Sequence, residues 1–115
     1  MKKFLKSFVY AFNGIFTSIK NERNIKIHIV IMILVIIFGI ILKISKTEWL
    51  ICIILFGLVI SMELINSAIE KVVDLVTKEK NEQAKIIKDT AAGAVLVTAI
   101  AAAIIGFMIF VPYII

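Results

Sequence analysis

Apolar residues along this chain fall into three uncharged blocks preceded by one stretch in which they alternate with lysines. Ile29 to Leu42 runs 14 residues without a charge, Trp49 to Met62 another 14, and Ala91 to Ile115 runs 25. The last is longer than the roughly 20 helical residues that cross a hydrocarbon core about 30 Å thick. The first extends back to Ile25 when Lys26 carries its ammonium out to the interface. The second continues beyond Met62, because apolar residues persist between the polar ones that follow. The pattern predicts membrane-spanning helices over about 25–42, 48–70 and 91–112.

Residues 2–20 read differently. Phe4, Phe8, Phe12, Phe16 and Ile19 recur at spacings of four and three, joined by Leu5, Val9 and Ile15. Lys2, Lys3, Lys6, Asn13 and Lys20 fall mostly on other faces. A helix rich in Phe and Lys, placed ahead of a span, is expected to lie in the headgroup plane. Gly14 costs such a helix about 1 kcal/mol relative to alanine, so a packing or ligand reason is expected for it. In the third block Ala94, Thr98, Ala102 and Gly106 form a stripe of small residues suited to close helix packing, within one chain or between chains. Pro112 stands in the last turn, where few backbone bonds remain to be lost.

Composition narrows the class. Hydrophobic residues make up 62% and the mean hydropathy is +1.09, more than a 115-residue core can hide, so lipid must act as part of the solvent. The net charge of +5 would suit nucleic acid or an anionic membrane surface, and the hydropathy selects the membrane and excludes nucleic acid. Cys52 is the one cysteine and cannot form an internal disulfide. No cleavable leader is expected, because the first apolar run is followed by no small-x-small site. Neither an internal repeat nor a low-complexity linker divides the chain, and residues 1–115 read as a single all-α integral membrane domain.

Charge sets the expected orientation. Lys2, Lys3, Lys6, Lys20, Arg23 and Lys26 precede the first span, and Lys71, Lys78, Lys80, Lys85 and Lys88 lie between the second and third. The first loop has only Lys43 and Lys46, and the C-terminal tail has no basic residue. The positive-inside rule places the N-terminus and the second loop in the cytoplasm and Ile115 outside. Trp49 reads as an interfacial anchor beside a solvated Glu48.

The chemistry concentrates where the second span leaves the membrane. Glu63, Glu70 and Asp74 lie within about 20° of one helical line, with Asn66 and Ser67 within about 60° of it. A charge inside a span costs at least about 2.5 kcal/mol, so an intramembrane carboxylate points to function before structure. Carboxylates aligned with an amide oxygen repel one another unless a cation lies between them, and such hard ligands suit Mg²⁺ and not zinc. Asn21-Glu22 and Lys88-Asp89 sit at the same expected depth, although each alone would read as a solvated surface charge or a helix-end residue. Acids to hold metal, a lysine for phosphate charge and a base for a hydroxyl make the set that phosphoryl transfer requires. His28, near the start of the first span, reads as an interfacial polar residue rather than a ligand.

The segment Glu63-x-x-Asn66-Ser67-Ala68-Ile69-Glu70-x-Val72-Val73-Asp74 resembles the signature of the small prokaryotic diacylglycerol kinase family. Asn21-Glu22 upstream and Lys88-Asp89 with Ala92-Gly93-Ala94-Val95 downstream stand at the family spacing, so the resemblance covers nearly the whole chain. It implies a homotrimer of three-span subunits, each with an N-terminal surface helix, whose active sites are shared between subunits. It also implies transfer of the γ-phosphate of ATP, with Mg²⁺, to a lipid hydroxyl at the cytoplasmic surface of the cell membrane. By matching position, Glu63 would be the general base, and Glu22 and Glu70 would hold the metal on the ATP phosphates. Asn66 would orient the site with Ser67 in support, and Asp74, Lys88 and Asp89 would contact or support the nucleotide. Tyr10 and Gly14 match positions near the nucleotide. Lys3 stands where some members carry arginine, and an ammonium cannot make the bidentate phosphate contact of a guanidinium. Ser7-Phe8-x-Tyr10-Ala11-Phe12-x-Gly14-Ile15, with Glu22-Arg23-Asn24-x-Lys26-Ile27-His28, is similar to the Gram-positive branch, whose members phosphorylate undecaprenol. The alternatives are a diacylglycerol kinase proper and, from a different class, a non-catalytic membrane oligomer.

Overall fold

A computed structural model describes all residues from Met1 to Ile115. The chain is entirely helical: α1 spans Lys2–Asn21, α2 Arg23–Leu42, α3 Lys46–Val76 and α4 Glu82–Ile114. The helices after α1 are all long and apolar enough to cross a membrane. The molecule is a thin slab, 52 × 42 × 20 Å, in which α3 touches each of the other helices. Only 13 of 115 residues are buried, and large side chains such as Phe38, Ile54, Phe107 and Met108 are exposed. Apolar surface on that scale belongs against lipid or against other copies of the chain.

Glu22 alone separates α1 from α2. Its backbone is extended (φ −105°, ψ 121°), and its N–H closes the end of α1 on the Ser18 carbonyl at 2.8 Å. At the opposite end α2 stops at Lys43, whose left-handed backbone (φ 53°) lets two amides turn back on the helix. Lys43 donates to the Ile40 carbonyl and Ile44 to the Gly39 carbonyl, a Schellman closure made without glycine at the left-handed position. The helix spends its glycine earlier, at Gly39, where a Cβ would come within 2.6 Å of the Trp49 ring. Trp49 therefore packs on the backbone of α2 beside Ile44, which with Cys52 and Ile109 makes the small core of this end.

Helix α3 begins in a capping box: Ser45 Oγ accepts from the Glu48 N–H, and Glu48 Oε1 accepts from the Ser45 N–H. The Tyr113 hydroxyl donates to the same Glu48 carboxylate, tying the end of α4 to the start of α3. The length difference then decides the architecture. At about 1.5 Å per residue, α2 is about 30 Å long and α3 and α4 are nearer 46 and 50 Å. Because α3 and α4 are pinned together at the Glu48 end, their excess length emerges at the other end, beyond the start of α2. Asp74 and the charged residues of the following loop occupy that overhang.

The outcome for the small-residue stripe is mixed. Ala94 is exposed, Thr98, Ala102 and Gly106 are half-buried, and a Cβ on Gly106 would meet nothing within 4 Å. The buried residues of α4 are Ala91, Val95 and Ile109, so the stripe is not the close contact within the chain. Gly14 likewise has open space where its side chain would be, so its expected packing reason is not met within one chain.

Candidate functional site

Helix continuity through residue 76 is what builds the site. Glu63, Asn66, Ser67 and Val73 are all buried on one side of α3, with Glu70 half-buried between them and Asp74 emerging into solvent. The face thus grades from an enclosed carboxylate to a solvated one over some 16 Å of helix. The carboxylates on this face are not left to repel one another unaided. Asn66 Nδ2 donates to Glu70 Oε1 at 3.3 Å, and His28 Nε2 lies 3.0 Å from Glu63 Oε1. Asn66 Oδ1 is buried without any partner.

His28 is the member of this constellation that the sequence reading set aside. It lies five residues into α2 and reaches across to α3, 35 residues away in the chain. The available signal was its depth: both His28 and Glu63 sit at the inner margin of an apolar run.

Further out, α4 meets α3 through charge. Lys88 Nζ donates to Asp74 Oδ1 at 2.7 Å, and Lys85 Nζ to Asp89 Oδ2 at 2.6 Å. Asp89 holds the Lys85 ammonium above its usual pKa, first through the hydrogen bond and then through its charge. Val73, Asp74, Lys78, Lys80, Lys85, Lys88 and Asp89 line one polar recess at this end. Glu22 stands half-buried at the junction of α1 and α2, its carboxylate capping neither helix. Tyr10 and Gly14, in contrast, are exposed on α1. No three acidic, histidine or cysteine side chains are gathered closely enough to enclose a metal ion within one chain.

An apolar cleft of about 380 Å³ opens between α2, α3 and α4, running from His28 past Val35, Cys52 and Phe56 to Phe110. His28 is the only polar side chain on its walls. The structure therefore joins, through one histidine, a groove of lipid character to a buried carboxylate, with a charged recess further along the same helix.

Residues 9–110 match the family described as prokaryotic diacylglycerol kinase. The chain belongs to that family. It is 44% identical to the undecaprenol kinase of Bacillus subtilis (strain 168) over 112 residues, 97% of this chain and 91% of the relative. It is 40% identical to a diacylglycerol kinase of Synechocystis sp. (strain ATCC 27184 / PCC 6803 / Kazusa) over 109 residues, 94% of this chain but 62% of that protein. As a member of the prokaryotic diacylglycerol kinase family the chain is a lipid kinase, using ATP and a lipid alcohol. That membership accounts for the combination of apolar cleft and charged recess, since a lipid kinase must present a hydroxyl from the membrane to a phosphate from water.

Proposed function

We propose that this kinase transfers the γ-phosphate of ATP to undecaprenol at the cytoplasmic surface of the cell membrane. The observation that carries the acceptor is the end-to-end similarity to the undecaprenol kinase, 97% of this chain against 91% of the relative. The diacylglycerol kinase relative aligns over only 62% of its length. Basic residues before α2 and between α3 and α4 support an arrangement with both on the cytoplasmic side. Helix α1, with Phe4, Phe8, Phe12 and Phe16 exposed, would rest in the headgroup layer. Family membership supports a homotrimer, in which Tyr10 and Gly14 would lie near the nucleotide.

In the mechanism the acceptor hydroxyl lies beside Glu63. Its proton passes to the Glu63 carboxylate as the hydroxyl oxygen bonds to the γ-phosphorus and the bond to ADP breaks. Burial suits Glu63 to this work, because it limits the access of bulk water. Glu22 and Glu70 would hold Mg²⁺, which when bound neutralises charge on the phosphates. The donor types fit that ion: Glu70 is a hard carboxylate beside the unpartnered Asn66 Oδ1, and Glu22, whose carboxylate caps neither helix, would add another. Magnesium takes one or two carboxylates and completes its shell with phosphate oxygens and water, so a closed cage of protein ligands is not required. Asn66 orients Glu70, Ser67 supports the same buried face, and Lys88 meets phosphate charge while Asp74 and Asp89 hold the lysines in place.

The deciding experiment is a phosphorylation assay on the purified protein with Mg-ATP, comparing undecaprenol with diacylglycerol. Faster turnover of undecaprenol is expected. Preference for diacylglycerol would reassign the acceptor, and no turnover of either would favour a non-catalytic oligomer.

A further inference from the structure

Burying a carboxylate is costly unless its oxygens are hydrogen-bonded. Glu63 is 3% exposed, and His28 is its one hydrogen-bond partner in the chain, through Oε1. Its other oxygen, Oε2, takes no hydrogen bond from the chain. The two inner carboxylates of the face thus have separate partners: Asn66 donates to Glu70, and His28 Nε2 lies against Glu63.

We propose that His28 is a positioning residue for Glu63, donating its Nε2–H to Oε1 so that Oε2 is aimed at the hydroxyl of a lipid entering along the apolar cleft. The inference rests on the reading of Glu63 as the base. Two observations converge on it. The contact runs between α2 and α3 and fixes the side chain across a helix interface, where a rotamer change would otherwise swing the carboxylate. His28 is the only polar side chain lining the cleft, so an acceptor passing along it reaches His28, whose Nε2 lies 3.0 Å from Glu63 Oε1. With Nε2–H donating, the other ring nitrogen, Nδ1, is left as an acceptor. Proton acceptance requires a bonded oxygen held still and a free oxygen facing the substrate, and the pair supplies that division.

The test uses substitutions that separate hydrogen-bond reach from polarity. A glutamine amide can bring its nitrogen to the place of Nε2, whereas an asparagine amide is one carbon shorter and matches Nδ1 instead. In the Mg-ATP assay on full-length protein, His28→Asn and His28→Ala are expected to lose about 10- to 100-fold in kcat, the scale of a misplaced catalytic group, with KM for ATP nearly unchanged. His28→Gln is expected to recover most of that loss. In a Glu63→Gln background, His28→Ala should cost little more, because His28 acts only through Glu63. Equal activity of His28→Asn and His28→Gln, or full additivity with Glu63→Gln, would overturn the proposal. The Asn/Gln comparison decides the matter even where the alanine variant does not fold. Near-normal turnover by Glu63→Gln would instead remove the base reading itself. A dead Glu63→Gln beside a fully active His28→Asn removes the positioning role alone.

Discussion

Lys88 on α4 donates to Asp74 on α3 at 2.7 Å, closing the two longest helices together just outside the apolar part of the molecule. Both partners are substantially solvent-exposed, so the pair contributes under about 1 kcal/mol to stability. Its value lies in where it holds an ammonium, at the edge of the charged recess.

Lys88→Met is therefore expected to leave thermal unfolding almost unchanged and to raise KM for Mg-ATP by about 10-fold or more, as a lost charge-assisted contact to phosphate should. Titration of initial rate against ATP at saturating lipid measures it. An unchanged KM would remove Lys88 from the nucleotide site.

Glu70→Gln keeps the shape of the side chain but loses the charge that would hold a divalent ion. Phosphoryl transfer is expected to fall by at least about 10²-fold while the protein stays folded, since charge stabilisation is lost from the transition state. Rates across a Mg²⁺ titration check this. Near-normal turnover at limiting Mg²⁺ would end the assignment.

Glu63→Gln cannot accept the hydroxyl proton. The expected result is retained Mg-ATP binding with turnover reduced at least about 10²-fold, the usual worth of general-base assistance. Undecaprenol phosphorylation within a few-fold of the parent would show that Glu63 instead serves to hold α2 and α3 together.

Gly39→Ala places a methyl group against the Trp49 ring, where the Cβ would lie 2.6 Å from its nearest atom. Overpacking of this kind costs about 1–3 kcal/mol, so the thermal midpoint should fall. Combining it with Trp49→Leu should relieve most of the loss, and an additive pair of effects would show that the ring is not the obstacle.

Orientation is open to direct measurement in intact cells. A cysteine introduced at Lys80, with Cys52 replaced by alanine, should resist an impermeant thiol reagent, whereas one at Lys46 should react. Labelling at Lys80 as readily as at Lys46 would overturn the topology derived from the lysine distribution.

The long apolar helices and the break before α2 were legible from the sequence, because hydropathy and helical periodicity are local properties. So was the acidic face of α3: once residues 63–74 continue a helix, 3.6 residues per turn fixes which side chains share a side. The loop between α2 and α3 concealed its detail, since Lys43 occupies a left-handed position for which glycine is the usual signal. Helix α4 also begins nine residues before its uncharged block, at an Asn81 side chain that accepts from two amides, because charged residues extend a helix as readily as apolar ones once it is capped. Pairing is what no periodicity contains. His28 with Glu63, Lys88 with Asp74 and Tyr113 with Glu48 each join different helices, and each depends on how far one helix slides along another. That offset is decided by the packing of Trp49 on Gly39 and by the tie at Glu48, contacts between residues far apart in the chain. Local pattern therefore determines which groups face inward along each helix, and tertiary packing decides which carboxylate receives a histidine, because helix register is a property of contacts between helices.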